Sequence, residues 1–229
     1  MRGITTFAAA VLAAVFMGTP AAAQMDQPPA FNWTGFYLGA SGGGGIGSTR
    51  HTNASNGATS GTSNNLDGGI VGATYGFNWL VAPNWLLGVE GDISWAPISD
   101  RFTDHGSGFC DHGAFCVTKL HWLGTDRLRA GYRTDDDWLF YATGGVAYGD
   151  VRALLIDDCC TDETHMRTGY TLGGGVETPI APRVSLKLEY LFVDLGSAVN
   201  YHTTGGTGEK VSVRENLFRV GLNWAFGAP

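Results

Sequence analysis

The sequence predicts an all-β protein: an eight-stranded antiparallel up-and-down transmembrane β-barrel. Three observations carry that expectation. Near the C-terminus, Val184, Leu186, Leu188, Tyr190 and Phe192 interleave with Ser185, Lys187, Glu189, Leu191 and Val193. After a polar stretch, Phe218, Val220, Leu222, Trp224 and Phe226 interleave with Arg219, Gly221, Asn223 and Ala225. A period of two sends the two sets to opposite faces of a strand. Second, tight turns at 81–84, 134–137 and 179–182 alternate with long polar stretches at 48–65, 96–117, 154–163 and 200–210. Short turns on one side and long loops on the other are the pattern of a single-chain membrane barrel. Third, the seven tryptophans, Trp33, Trp79, Trp85, Trp95, Trp122, Trp138 and Trp224, fall at strand ends or on the apolar face. That is the placement of an interfacial aromatic girdle. No strand run approaches the ~20 unbroken apolar residues of a membrane helix.

The chain begins outside the fold. Met1-Arg2 is a positive n-region, Phe7 to Met17 an apolar h-region and Ala21-Ala22-Ala23 a cleavage site, so 1–23 reads as an export signal. A short periplasmic leader with Pro28-Pro29 occupies 24–32, and the barrel domain is expected over 33–229. The first strand is placed at 33–45, with Phe36, Leu38 and Ala40 on one face and Tyr37 and Gly39 on the other. The second, 66–79, alternates Val71, Ala73, Tyr75, Phe77 and Trp79 with Gly72, Thr74, Gly76 and Asn78. The third, 85–95, sends Trp85, Leu87, Val89, Gly91, Ile93 and Trp95 one way and Glu90, Asp92 and Ser94 the other. The fourth, 118–133, puts Leu120, Trp122, Leu128, Ala130 and Tyr132 outward and Arg127 and Arg129 inward. Asp126 then lands on the lipid side, where a charge is costly unless a local bulge turns it away. The fifth, 138–150, is apolar on both faces and has no readable phase; the sixth, 164–178, pairs Tyr170, Leu172, Gly174 and Val176 against Thr171, Gly173, Gly175 and Glu177. Residues 184–193 and 218–226 complete the eight.

Carrying the phase through these strands collects Glu90, Asp92, Arg127, Arg129, Glu177, Lys187, Glu189 and Arg219 on the inward face. Eight strands enclose only enough room for side chains. Single buried charges are costly, so these four acids and four bases are expected to pair into a salt-bridged plug across the lumen.

Net charge is −7 with no basic run, which leaves nucleic-acid binding without an electrostatic footprint. Glycine is abundant, 35 residues against ~7% in average usage, and is spread through the strands as befits a curved sheet. Cys110, Cys116, Cys159 and Cys160 lie in two long loops. Export to an oxidising compartment favours disulfides, and three pairings exist; a direct Cys159–Cys160 bond would be strained, which favours cross-links between the two loops, or a small Cys110–Cys116 loop with Cys159 and Cys160 in another role. The same loops carry His105, His112, His165 and several acids, but Cys-x5-Cys and Cys-Cys depart from zinc spacing, so no metal site is assigned. No cofactor motif and no G-x-S-x-G elbow is present, and no Ser pairs with a His at strand spacing, so no catalytic residue is assigned. The acidic loop residues are expected to form a solvated surface patch that divalent ions bridge to lipopolysaccharide.

Five motifs resemble one family. They are Trp33-Thr34-Gly35-Phe36-Tyr37-Leu38-Gly39, Gly88-Val89-Glu90-Gly91-Asp92-Ile93, Arg127-Leu128-Arg129-Ala130-Gly131-Tyr132, Tyr141-Ala142-Thr143-Gly144-Gly145-Val146-Ala147 and Arg219-Val220-Gly221-Leu222-Asn223-Trp224-Ala225-Phe226. In that order they are similar to the small outer-membrane β-barrel proteins of alphaproteobacteria, often labelled "porin family" and related in architecture to OmpA/OmpX-type barrels. The resemblance implies an eight-stranded barrel in the bacterial outer membrane, with a structural, envelope-integrity or surface-contact role, and the chain is expected to be a monomer. It also implies outer-membrane lipid and the barrel-assembly machinery as partners, the latter reading a final aromatic, here Phe226, and a host or surface ligand at the loops. Asp126, the loop cysteines and the extension beyond Phe226 depart from the family pattern. The alternative reading is a narrow diffusion channel for small solutes.

Overall fold

The computed structural model describes residues 31–53, 57, 59–102, 115–156, 161–202 and 208–226. Eight strands follow one another: β1 (Gly35–Asn53), β2 (Thr59–Ala82), β3 (Trp85–Phe102), β4 (Phe115–Arg133), β5 (Leu139–Ile156), β6 (Thr161–Ala181), β7 (Val184–His202) and β8 (Gly208–Ala225). Each pairs antiparallel with the next, and β8 pairs with β1 to close the barrel. Closure leaves no backbone edge unpaired, which is the condition for crossing lipid with strands. The predicted fold class is therefore borne out, and the expected export signal lies outside the described residues.

The outer wall carries the apolar set of each strand. Leu38, Val71, Leu87, Val89, Leu128, Phe140, Val146, Leu172, Leu188, Val220 and Leu222 are all exposed on it. Near the short turns the wall ends in Trp79, Trp85, Trp138 and Trp224, and Trp95 stands toward the other end. Trp33 does not join this girdle. It precedes β1, is 4% exposed and packs edge-on against Phe31, with ring centroids 4.8 Å apart. Together with Leu86, Leu139 and Tyr141 the two rings fill the short-turn mouth of the barrel.

The strands outrun their predicted ends. Much of the polar sequence expected as loops at 48–65, 96–117, 154–163 and 200–210 continues the hydrogen-bonded sheet. In 48–65 the hydropathy contrast fades because inward places go to small polar residues, Thr49 and Ser63, both buried. In 96–117 the alternation persists, since Ala96 and Ile98 are fully buried, but Pro97 between them reads as a turn signal. Register shifts there, between Trp95 and Ile98, and an irregular site is where a strand accommodates proline.

Leu120 corrects the phase assigned to the fourth strand. It faces the interior and is buried, and so is Leu123. The ladder to β5 slips between these two residues, so the side-chain phase below the irregularity does not carry across it. The fifth strand, unreadable by pattern, places Phe140, Ala142 and Val146 outward and Leu139, Tyr141, Thr143 and Ala147 inward.

Candidate functional site

The interior of the barrel is layered, and its middle layer is ionic. All eight residues assigned to the inward face by phase are buried there. Arg127 stands at the centre: its guanidinium donates to Glu90, to Asp92 Oδ2 at 3.0 Å and to Glu189 Oε1 at 2.9 Å. Arg219 joins the same carboxylates from β8, at 2.9 Å to Asp92 Oδ1 and, through Nε, at 3.1 Å to Glu189 Oε2. Lys187 Nζ donates to Glu90 Oε2 at 3.0 Å. Arg129 bridges downward to Glu177 Oε2 at 2.9 Å, and its Cζ lies 4.2 Å from the ring centroid of Tyr141.

Neutral donors take up remaining oxygens. Tyr37 Oη donates to Glu90 at 2.6 Å, Thr125 Oγ1 to Asp92 at 2.6 Å and Tyr141 Oη to Glu189 at 2.9 Å. Glu177 Oε1 accepts from Ser185 Oγ at 2.5 Å and from Asn223 Nδ2 at 2.8 Å. Paired, hydrogen-bonded charge is the form in which ionised groups persist away from water. Phase alone located the charges but not this neutral shell. Tyr37 was readable, since it alternates with the lipid-facing Phe36 and Leu38; Tyr141 was hidden by the ambiguous fifth strand.

Above the ionic layer, toward the long hairpins, the lumen turns mainly apolar, with Glu215 and Arg167 the charged residues buried in it among those described. Leu66, Ile70, Ala96, Ile98, Leu120, Leu123, Ala147, Val151, Leu191, Val193, Leu195, Val211, Val213 and Leu217 form one buried cluster. Arg167 is buried within this upper half and donates from Nη1 to Val211 O at 2.6 Å. Most outward positions at this height are polar, Arg214, Lys210, Thr62 and Thr168 being exposed, with Met166 an apolar exception. The upper half is thus built like a water-soluble barrel, with its apolar residues inside. Sequence reading missed this layer, although Leu191 and Val193 on the polar face of the seventh strand were its visible trace.

Asp126 stays on the outer wall, so no bulge removes it from lipid. Tyr75 Oη donates to its Oδ1 at 3.2 Å and Tyr148 Oη to its Oδ2 at 3.1 Å. Both rings lie flat along the sheet over glycines. A Cβ at Gly91 would collide with the Tyr75 ring, and one at Gly124 with the Tyr148 ring. Two hydroxyl donors replace the water that the carboxylate lacks at this depth.

Phe226 ends the seam. Its backbone N–H donates to Phe36 O at 2.8 Å and its ring centroid lies 5.9 Å from that of Phe36. Cys110, Cys159 and Cys160, with His105 and His112, lie outside the described residues. Cys116 sits in β4 with Phe102 of β3 and Leu155 of β5 as its backbone neighbours.

A closed eight-stranded barrel, apolar and girdled outside and filled inside, defines an outer-membrane barrel protein. The comparisons narrow the class. Residues 7–226 match the family described as "Outer membrane protein beta-barrel domain", and the chain belongs to it. It is 33% identical to the "31 kDa outer-membrane immunogenic protein" of Brucella melitensis over 96% of this chain and 95% of that one. It is 31% identical to a "22 kDa outer membrane protein" of Rhizobium leguminosarum bv. viciae, over 90% of this chain and 83% of the relative. Among solved structures, the outer membrane protein OprG of Pseudomonas aeruginosa superposes with a TM-score of 0.52 at 15% identity, covering 86% of this chain and 99% of that one. That likeness concerns the fold alone. The protein resides in the bacterial outer membrane.

Proposed function

We propose that this barrel is a closed structural and surface-presenting protein of the outer membrane, acting by anchoring and display without catalysis. The filled lumen is the observation that supports this most directly. A solute would have to displace a net of four acids and four bases, and then an apolar cluster of which Leu66, Ile98, Leu123 and Leu217 are fully buried members. Separating buried ion pairs without replacement water is costly. The upper half carries the strands beyond the lipid-facing band as a packed stalk, and the connections between strands are where barrels carry contacts. The Brucella relatives are named as immunogenic, which fits surface display. A host or surface ligand at the hairpin ends belongs to the same proposal, as do disulfides among the four cysteines. So does recognition of Phe226 by the barrel-assembly machinery, since that residue closes the seam where the last strand meets the first.

The test is conductance of the refolded chain in a planar bilayer, after a heat-modifiable gel shift has verified the barrel. A folded barrel with no steady current is expected. A steady ion-selective current from wild type would overturn the closed barrel in favour of a narrow channel.

A further inference from the structure

We infer that a cleft on the outer wall, at the seam of β1, β2 and β8, holds the phosphate of an outer-leaflet lipid. The cleft has a volume of about 130 Å3 and is lined by Ser48, Arg50, Thr62, Ser212 and Arg214. All five side chains can donate a hydrogen bond, and none is acidic. The register assembles them: Ser48 lies opposite Arg214, and Arg50 opposite both Ser212 on β8 and Thr62 on β2. The two guanidiniums therefore occupy diagonal positions with hydroxyls between them.

Arg214 is held from its far side. Its Nε donates to Asp194 Oδ2 at 2.8 Å, and Asp194 Oδ1 in turn accepts the N–H of Gly196 at 2.8 Å. Gly196 has φ +66, a conformation that suits glycine and lets the chain fold back onto the carboxylate. Asp194 thus engages the inner nitrogen of the guanidinium and leaves its two terminal amines for a ligand. Planar, always-charged guanidiniums flanked by hydroxyls suit the oxygens of a phosphate.

The height of the cleft selects the source. Immediately toward the short turns, the same wall presents Ile46, Phe218, Val220 and Leu222 to lipid. Ser48 is two residues beyond Ile46, roughly 7 Å along an extended strand. A lipid whose acyl chains lie against Ile46 and Phe218 has its headgroup at this level. Among the outward residues of β8 the switch from Phe218 to Asn216 and Arg214 marks the same boundary. The outer face of the barrel is therefore a lipid-phosphate site and not only a hydrophobic wall.

The test uses the full chain, refolded and shown to be heat-modifiable, in detergent micelles. Native mass spectrometry measures retention of diphosphorylated lipid A against the same lipid with its phosphates removed. The phosphorylated lipid should be retained at least about tenfold more tightly, the ratio that corresponds to one charged hydrogen-bonded contact. Arg50→Gln with Arg214→Gln should abolish that preference, and Lys210→Gln, exposed on the same strand but outside the cleft, should preserve it. Equal retention of the two lipids by wild type overturns the site, and this comparison stands even if the double variant does not fold. Loss of preference in Lys210→Gln also overturns it, by showing diffuse attraction. Displacement of the lipid by millimolar inorganic phosphate would overturn the lipid as the source.

Discussion

Along β8, Phe218, Val220, Leu222 and Trp224 face outward while Arg219 and Asn223 face the lumen; from Leu217 to Lys210 the order largely inverts, with Leu217, Val213 and Val211 inside beside one buried acid, Glu215, and Arg214 outside. β7 repeats the switch, with Lys187 and Glu189 buried in the lower half and Leu191, Val193 and Leu195 buried in the upper. The two halves share strands, so the difference lies in the solvent around them. In the lower half lipid receives the apolar side chains, and burial inside offers them no hydrophobic gain. The interior is free to be ionic, and paired charges fix which residues meet. In the upper half water surrounds the wall, and apolar side chains gain by moving inward. One sheet is therefore stabilised by two different terms, divided near Leu217.

The largest way to break this division is to unbalance the ionic half. Arg127→Ala leaves Glu90, Asp92 and Glu189 without their shared cation and should cost about 3–5 kcal/mol in urea unfolding from vesicles. The same variant should raise conductance in a planar bilayer, and an unchanged stability would show that the net is hydrated. Leu217→Ala opens a cavity in the fully buried upper cluster and should cost about 2–5 kcal/mol, with conductance unchanged while the ionic layer stays closed.

Two equally exposed positions sharpen the contrast. Leu128, 69% exposed in the lower half, and Met166, 70% exposed in the upper, can each be replaced by arginine. Leu128→Arg should cost about 2–4 kcal/mol, as expected of a charge facing lipid. Intermediate in size is the tyrosine cap: Tyr75→Phe with Tyr148→Phe leaves Asp126 uncapped in lipid and should cost about 1–3 kcal/mol. Adding Asp126→Ala to that pair should recover most of the loss; if it does not, the hydroxyls have another role. Met166→Arg should change stability by no more than about 0.5 kcal/mol. A large penalty there would extend the lipid-facing band past the inversion.

How far the molecule was legible follows from the same division. In the lower half, alternation against lipid is strong, and it located Glu90, Asp92, Arg127, Arg129, Glu177, Lys187, Glu189 and Arg219 on one face. Trp33 was misassigned because tryptophan in sequence looks alike whether it faces lipid or plugs a mouth against Phe31. In the upper half the pattern reverses sign, so a reading tuned to apolar-outside sees loops. Leu120 was lost for a second reason, the slipped register beside it, which no side-chain pattern announces. Alternation put Tyr37, Ser185 and Asn223 on the inward face, but which carboxylate each of them and Thr125 donates to depends on three-dimensional reach between strands.

The pairing of β1 with β8 has a further consequence, for the life of the chain before it reaches the membrane. The edge of β1 meets its partner only when residues near Phe226 arrive, because the last hydrogen bonds of the seam run from Phe226 N to Phe36 O and through the β1–β8 ladder. Until then both terminal strands present open, apolar-faced edges in water, the arrangement that most readily recruits another chain. Folding by parts offers no shelter, since almost every contact that closes the cylinder is long-range and slow to form. The interval before the seam closes is therefore when a chain of this design is most exposed to aggregation.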